Sequence, residues 1–309
     1  MTTAADPAIR ELSDRAAIGE LMMLYASGLD RRDFGMVRQV FTADAAASYD
    51  GKPVPPGVDN IIAHVQGLKN SRKSTHFMMN QSIDLSGDAA QMETYAQSIL
   101  TFKRPSGEEY LRTRGLRYIC DVVRRQGRWW IAKNTHVADW EREEAPVAIT
   151  NPPAKPGLAK AFAPLTSLTL EQLSDRAEIY DNVMRYAKGL DTRNWEMVRS
   201  CFTPNVYASY NARELGRGVE KIMQMVKPLE KMKVTTHFMG NQLIALHGAS
   251  ADVETYCIAY LVSSQDGKDT VMIRGLRYID EFVKQGGQWL TSSRIHDADW
   301  ARTAEVIVS

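Results

Sequence analysis

The chain has 309 residues, 44% of them hydrophobic and 24% charged, with a formal net charge of +1. Those values describe a globular chain of roughly two domains and exclude disorder, collagen-like repeats and a disulfide-stapled miniprotein. Lys plus Arg number 38 against 37 Asp plus Glu, so the basic surplus expected of a nucleic-acid binder is missing.

The N-terminal MTTAADPAIRELSDR lacks a basic-then-apolar leader pattern, and no apolar run approaches the ~20 residues of a membrane span. Three scattered cysteines, Cys120, Cys201 and Cys257, suit a reduced cytoplasm better than a zinc site or a disulfide framework. The first predicted element is a helix, because Ile18, Leu21, Met22, Tyr25 and Leu29 recur at helical spacing after Ser13 or Asp14, natural N-caps, as Ser174 or Asp175 are in the second copy. A short second helix is expected over Phe34 to Phe41 and a third over about 58–68. Four strand-like stretches follow, at about 74–85, 90–103, 110–125 and 128–138. Residues 141–170 then hold five of the twelve prolines, which block helices and central strands and so mark an extended linker.

After the linker the same order returns. LSDRA at 12–16 recurs at 173–177, and over 12–50 the offset of 161 matches 21 of 39 residues. THFM at 75–78 recurs at 236–239, RGLRYI at 114–119 recurs at 274–279, and H-x-A-D-W ends both copies at 136–140 and 296–300. A unit of this size is too long for a solenoid repeat. Two copies of one domain remain, at 1–142 and 165–309, joined by a linker at 143–164. Helices first and a run of strands later argue for an α+β fold.

A helical Y-x4-D, a His on the first long strand, R-G-x-R-Y and a final G-x-W strand together resemble the SnoaL-like branch of the nuclear transport factor 2-like superfamily. The resemblance covers nearly the whole chain. It implies two tandem cone-shaped α+β barrels, each a curved antiparallel sheet wrapped by three helices around an apolar pocket. Members include polyketide cyclases, ketosteroid isomerases, dehydratases, a hexachlorocyclohexane dehydrochlorinase and lyases of lignin-derived aromatics, and also non-catalytic binders.

Asp30 and Asp191 end the first helix of each copy in G-L-D. A carboxylate is unfavourable beside the negative end of a helix macrodipole, so a buried cationic partner is expected nearby. The residue is either a plain helix-end turn or, as the resemblance implies, the partner of a pocket histidine, His76 or His237. An Asp that accepts from one imidazole nitrogen fixes the tautomer and leaves the other nitrogen as the base. Strand alternation groups His76 with Met78 and Asn80, and His237 with Met239 and Asn241. On the last strand it groups Trp130, Ala132, Asn134 and His136, and likewise Leu290, Ser292, Arg294 and His296. The dehydrochlorinase-like pattern places an Arg near Arg294, a position the first copy fills with Asn134. The second pocket is therefore expected to be the stronger catalyst. His136 and His296 are either pocket residues or hydrogen-bonding residues at its mouth. Arg114 and Arg274 either bind an anionic oxygen or pair with Glu93 and Glu254 on the neighbouring strand. Tyr25 and Tyr186 have core rings whose hydroxyls reach the pocket or do not.

Patterns for a phosphate loop, a metal cluster and a serine-hydrolase elbow are missing from the sequence. The inventory of His, Asp, Arg and Tyr moves protons and stabilises oxyanions, which matches a cofactor-independent lyase that eliminates water or formaldehyde from a hydrophobic small molecule. An isomerase, a cyclase or a non-catalytic binder of such a molecule is the alternative. Self-association is left open.

Overall fold

The computed structural model describes residues 6–145, 161–265 and 267–306. Most of the proline-rich linker therefore lies outside the described residues. The chain divides into two compact units, one running to Ala145 and including Phe162–Leu173, the other running from Ser174 onward.

The first unit holds helices α1 (Pro7–Arg31), α2 (Phe34–Arg38) and α3 (Val58–Val65). Its strands are β1 (Phe41–Tyr49), β2 (Lys52–Val54), β3 (Lys73–Ser86), β4 (Ala89–Lys103), β5 (Glu109–Arg125) and β6 (Arg128–Glu144). The second half repeats this with α4 (Leu170–Asp191), α5 (Trp195–Arg199) and α6 (Val219–Val226). Its strands are β7 (Phe202–Tyr210), β8 (Arg213–Arg217), β9 (Val234–His247), β10 (Ser250–Gln265), β11 (Lys268–Gln285) and β12 (Gln288–Glu305). The strand orders are β2-β1-β6-β5-β4-β3 and β8-β7-β12-β11-β10-β9. β1 runs parallel to β6, and β7 to β12, while the other pairings are antiparallel. The fold is α+β in two tandem halves, as expected. The six-stranded sheet of each half is open, and it is mixed where a wholly antiparallel sheet was expected. The short strands β1 and β2 escaped prediction because TADAAAS carries no run of branched or aromatic residues.

The first helix starts earlier than its motif suggests. Asp6 is the N-cap of α1, accepting from Ala8 N at 2.9 Å, with Pro7 just inside. Thr169 and Gln172 form a reciprocal capping box before α4, with bonds of 3.2 and 2.9 Å. Asp14 and Asp175 are thus mid-helix and buried, not caps. Asp14 accepts from Trp129 Nε1 at 3.1 Å and pairs with Arg124. Asp175 accepts from Trp289 Nε1 at 2.9 Å and from Lys284 at 2.7 Å. LSDRA is therefore a clamp between the helix and the last hairpin. Asp14→Ala should cost about 2–3 kcal/mol, since it strips the acceptor from a buried indole and a half-buried guanidinium. A urea titration checks this, and an unchanged midpoint would show that the clamp carries no stability.

Two glycine motifs record close approaches. A Cβ on Gly28 would meet Val37 Cγ2 at 2.9 Å, and one on Gly189 would meet Val198 Cγ2 at 2.8 Å, so α2 and α5 can lie tight against the long helices. The glycine of R-G-L-R-Y faces the tryptophan of H-x-A-D-W: Gly115 pairs with Trp140, and Gly275 with Trp300, with the indole over the space a Cβ would fill.

Candidate functional site

In the first half, α1, α3 and the inner face of β3–β6 enclose a cavity of about 340 Å³. His76 projects into it from β3 and Asp30 lies behind, at the end of α1. Asp30 Oδ1 sits 2.6 Å from His76 Nδ1, and Oδ2 accepts from the His76 backbone N–H at 2.8 Å. Both side chains are buried, at 1% and 5% exposure. A carboxylate cannot donate, so Nδ1 carries the proton and Nε2 is the basic nitrogen. The partner of the Asp30 carboxylate is thus His76, while Arg32, the left-handed C-cap of α1, makes no ion pair with it. Arg32 donates to Leu29 O and Ser74 Oγ, both at 2.6 Å, and to Leu68 O at 3.0 Å. The Leu29 carbonyl, orphaned at the helix end, is thereby satisfied.

The second half builds the same dyad. Asp191 Oδ1 lies 2.6 Å from His237 Nδ1, and Oδ2 accepts from His237 N at 2.8 Å. Thr235 Oγ1 adds a bond to Asp191 at 2.9 Å. Burial alone would raise the Asp191 pKa, but His237, Thr235 and the backbone bond outweigh it and the net shift is downward. Arg193 is the matching helix cap, donating to Leu190 O at 2.7 Å. The cavity here is only about 90 Å³.

Around each dyad the other predicted residues separate. Tyr25, Arg114 and His136 line the first cavity, and Tyr186, Arg274 and His296 line the second. Tyr25 Oη is 3.0 Å from Tyr49 Oη, and Tyr186 Oη is 3.4 Å from Tyr210 Oη. Burial raises all four phenols above their ordinary value, Tyr49 to about 12, so they act as neutral donors. Arg114 does not pair with Glu93, which reaches Arg117 instead at 3.4 Å. It pairs with Asp50 at 2.6 Å and Glu141 at 3.4 Å.

Several predicted site residues lie off the cavity, and β-bulges explain most of them. A bulge puts Met79 and Asn80 together opposite Tyr95, so Asn80 turns outward and Gln81 turns inward to Thr94 Oγ1 at 3.0 Å. Met78 is buried without lining the cavity. The equivalent bulge at Gly240–Asn241 leaves Asn241 buried, and Met239 packs into the core of the second half. Bulges at Ala132 and Ser292 swap the faces of the last strands, so Trp129 and Trp289 point in rather than Trp130 and Leu290. Asn134 lies beneath the first cavity, near Cys120 Sγ at 3.5 Å.

Arg294 is the largest departure. It was expected to face the second pocket. It is fully buried beneath it, donating Nε to Asp280 Oδ1 at 2.9 Å and Nη2 to Oδ2 at 2.6 Å. Its guanidinium also lies 4.2 Å from the Tyr186 ring centre and 4.5 Å from that of Tyr278. The two halves exchange a whole cross-strand pair here: Cys120 opposite Asn134 becomes Asp280 opposite Arg294.

Sequence reasoning missed Tyr49, Asp50 and His64 of the first cavity, and Tyr210 and Asn211 of the second. A signal was present: the aligned stretch ends in SYD at 48–50 and SYN at 209–211. Asp50 Oδ1 lies 3.0 Å from His136 Nδ1, and Asn211 Oδ1 lies 3.1 Å from His296 Nδ1. Burial pushes His136 down to about 4 against the opposing pull of Asp50. Burial, then Arg274, pushes His296 down to about 3. Both are neutral at pH 7. Because their folded pKa values lie below the ordinary 6.5, the unfolded chain takes up protons first as pH falls. Stability should therefore be full above about pH 6.5 and fall towards pH 4, by roughly 3 kcal/mol for each histidine. Urea midpoints measured from pH 7 to 4 check this, and His296→Gln should flatten the slope.

Among the described residues, no group of three or more His, Cys, Asp or Glu side chains converges as a metal site would need, and no helix is long and apolar enough to cross a membrane. Residues 10–135 and 171–295 each match the SnoaL-like domain. The chain belongs to the SnoaL-like family. Each matched stretch carries one complete dyad, so the tandem SnoaL-like architecture duplicates the candidate site along with the fold. This SnoaL-like chain is 30% identical over 133 residues to an uncharacterised protein of Mycobacterium tuberculosis (strain ATCC 25618 / H37Rv), a match covering 41% of this chain and 88% of that protein. It resembles the solved hexachlorocyclohexane dehydrochlorinase of Novosphingobium barchaimii LL02, with 19% identity, a TM-score of 0.41, and coverage of 47% of this chain and 99% of that one. A structure from Kribbella flavida gives 18% identity, a TM-score of 0.39, and coverage of 42% and 94%.

Proposed function

We propose that the first half of the chain is a lyase for a hydrophobic small molecule, aromatic or polycyclic, using the chain's own side chains. The observation that carries the reading is a buried His76–Asp30 dyad opening into a cavity of about 340 Å³. A cavity of this size is in the range that holds small-molecule ligands. His76 Nε2 takes a proton from a C–H or O–H of the substrate, and Asp30 stabilises the imidazolium that forms. The released electron pair makes the new double bond. In dehydration the C–H pair forms the C=C bond, the C–O bond breaks, and the leaving oxygen takes the proton back from the imidazolium; in formaldehyde loss the O–H pair forms the formaldehyde C=O, the hydroxymethyl C–C pair forms a C=C bond, and the neighbouring hydroxyl leaves as water with that proton. The oxygen that gathers charge is met by the Tyr25 and Tyr49 hydroxyls. The same apparatus supports an isomerase or cyclase, in which the proton returns at another atom.

This reading moves the stronger catalyst from the second pocket to the first. The reasons are the smaller second cavity and the burial of Arg294 in its own ion pair. The test is a panel of aromatic diols and alcohols, with loss of substrate, formaldehyde release and double-bond absorbance recorded for the wild type and His76→Ala. Turnover of any member that His76→Ala removes supports the reading, while turnover unchanged by that variant overturns it. The second half, with its cavity nearly filled by side chains, favours binding over turnover.

A further inference from the structure

The two pockets differ most in what surrounds one arginine. In the first, Arg114 is drawn to Asp50 at 2.6 Å and Glu141 at 3.4 Å, two carboxylates for one guanidinium. In the second, both acids are gone: Asn211 stands where Asp50 would be, and Ala301 sits opposite Arg274 where Glu141 sits opposite Arg114. The backbone around the first of these changes is the same. Asp50 and Asn211 both occupy a left-handed turn, at φ 51° and 52°. Asp50 Oδ1 accepts from Ala138 N at 3.0 Å, and Asn211 Oδ1 accepts from Ala298 N at 3.3 Å. The exchange therefore removes a charge and leaves the shape.

Arg274 remains on the cavity wall beside His237 and His296. It makes no ion pair among the described residues. The other acids near the floor are already engaged, Asp191 by His237 and Asp280 by Arg294. A half-buried guanidinium without a carboxylate is costly unless an anion reaches it, and its planar fork suits a carboxylate. The asymmetry has a second consequence. Arg114 is pulled towards the rim by its partners, while Arg274 is held by none and occupies space, in keeping with a cavity of about 90 Å³ against about 340 Å³.

We infer that the second pocket is a binding site for a small carboxylate, held by Arg274, whereas the first pocket, its arginine already neutralised, takes neutral molecules. This goes beyond the lyase reading and does not depend on it. The ligand is a short monocarboxylate, since the cavity has no room for a fused-ring molecule.

The experiment titrates the full chain with propionate, with propionamide as the neutral isostere. Binding is read from the imidazole proton resonances of His237 and His296 and from calorimetric stoichiometry. The expected result is saturable binding of one propionate per chain and none of propionamide. Arg274→Gln should weaken propionate by about tenfold or more, the scale of a lost charged hydrogen bond. Asn211→Asp gives the second pocket the carboxylate that the first one has, in a shape the turn already accepts, and should weaken binding similarly with the fold intact. Asp50→Asn combined with Glu141→Ala, which strips both carboxylates from Arg114, should raise the stoichiometry towards two. Lack of saturable binding, equal binding of the amide, or indifference to both Arg274→Gln and Asn211→Asp would overturn the inference. None of these readouts involves turnover, so failure here leaves the His76 reading standing, and failure of that reading leaves this one.

Discussion

His76→Ala should lower turnover by roughly 10²–10⁴, the range lost with a positioned general base, while His237→Ala leaves it within about twofold. The two histidines have the same contact to their aspartates, 2.6 Å in each half, so the dyad alone does not distinguish them. Space does. The first cavity measures about 340 Å³ against about 90 Å³ for the second, which is lined by Arg274, Met225 and Leu229 where the first has Arg114, His64 and Leu68. Asp30→Asn should fall between wild type and His76→Ala, because it keeps a group against Nδ1 but removes the charge that stabilises imidazolium. Steady-state rates on any substrate the panel identifies decide the matter, with circular dichroism confirming that each variant is folded. Should His237→Ala abolish turnover while His76→Ala does not, the small cavity is the catalyst and the assignment of halves is reversed.

Asp280→Ala should destabilise the second half by about 3–5 kcal/mol, the cost of stranding a buried charge. Arg294 has no exposure and its Nη1 has no partner, so the guanidinium depends on Asp280 and on the rings of Tyr186, Phe202 and Tyr278. Burial alone would lower the Arg294 pKa, but Asp280 outweighs it and the group stays charged. Installing the first half's own solution, Asp280→Cys with Arg294→Asn, should recover much of the loss, because a neutral pair needs no counter-charge. Recovery will be incomplete, since Asn leaves unfilled the volume that the arginine stem occupies. A double-mutant cycle in urea measures the coupling, and additive losses would show that the two side chains do not act as a pair.

The repeat and the helix-then-strand order were legible in the sequence, while the aspartate–histidine dyad was implied by the family resemblance. The first two rest on local periodicity or on identity between copies, and identity across an offset of 161 needs no knowledge of packing. What only the tertiary structure decided falls into two kinds. The first is register. One extra residue at Met79–Asn80, at Ala132 and at Ser292 moves a strand's side chains to the opposite face, and nothing local marks a bulge. Asn80, Trp130 and Leu290 were misplaced for that reason. The second is competition among charges. Arg294 was read as a cavity donor by position, and Arg114 as either an anion-binding residue or a partner of Glu93, but each is claimed by another carboxylate that lies far off in sequence or across a strand, Asp280 and Asp50. A sequence names the charges present, and the energy of an arginine depends on which carboxylate reaches it first, a distance that only the folded chain defines.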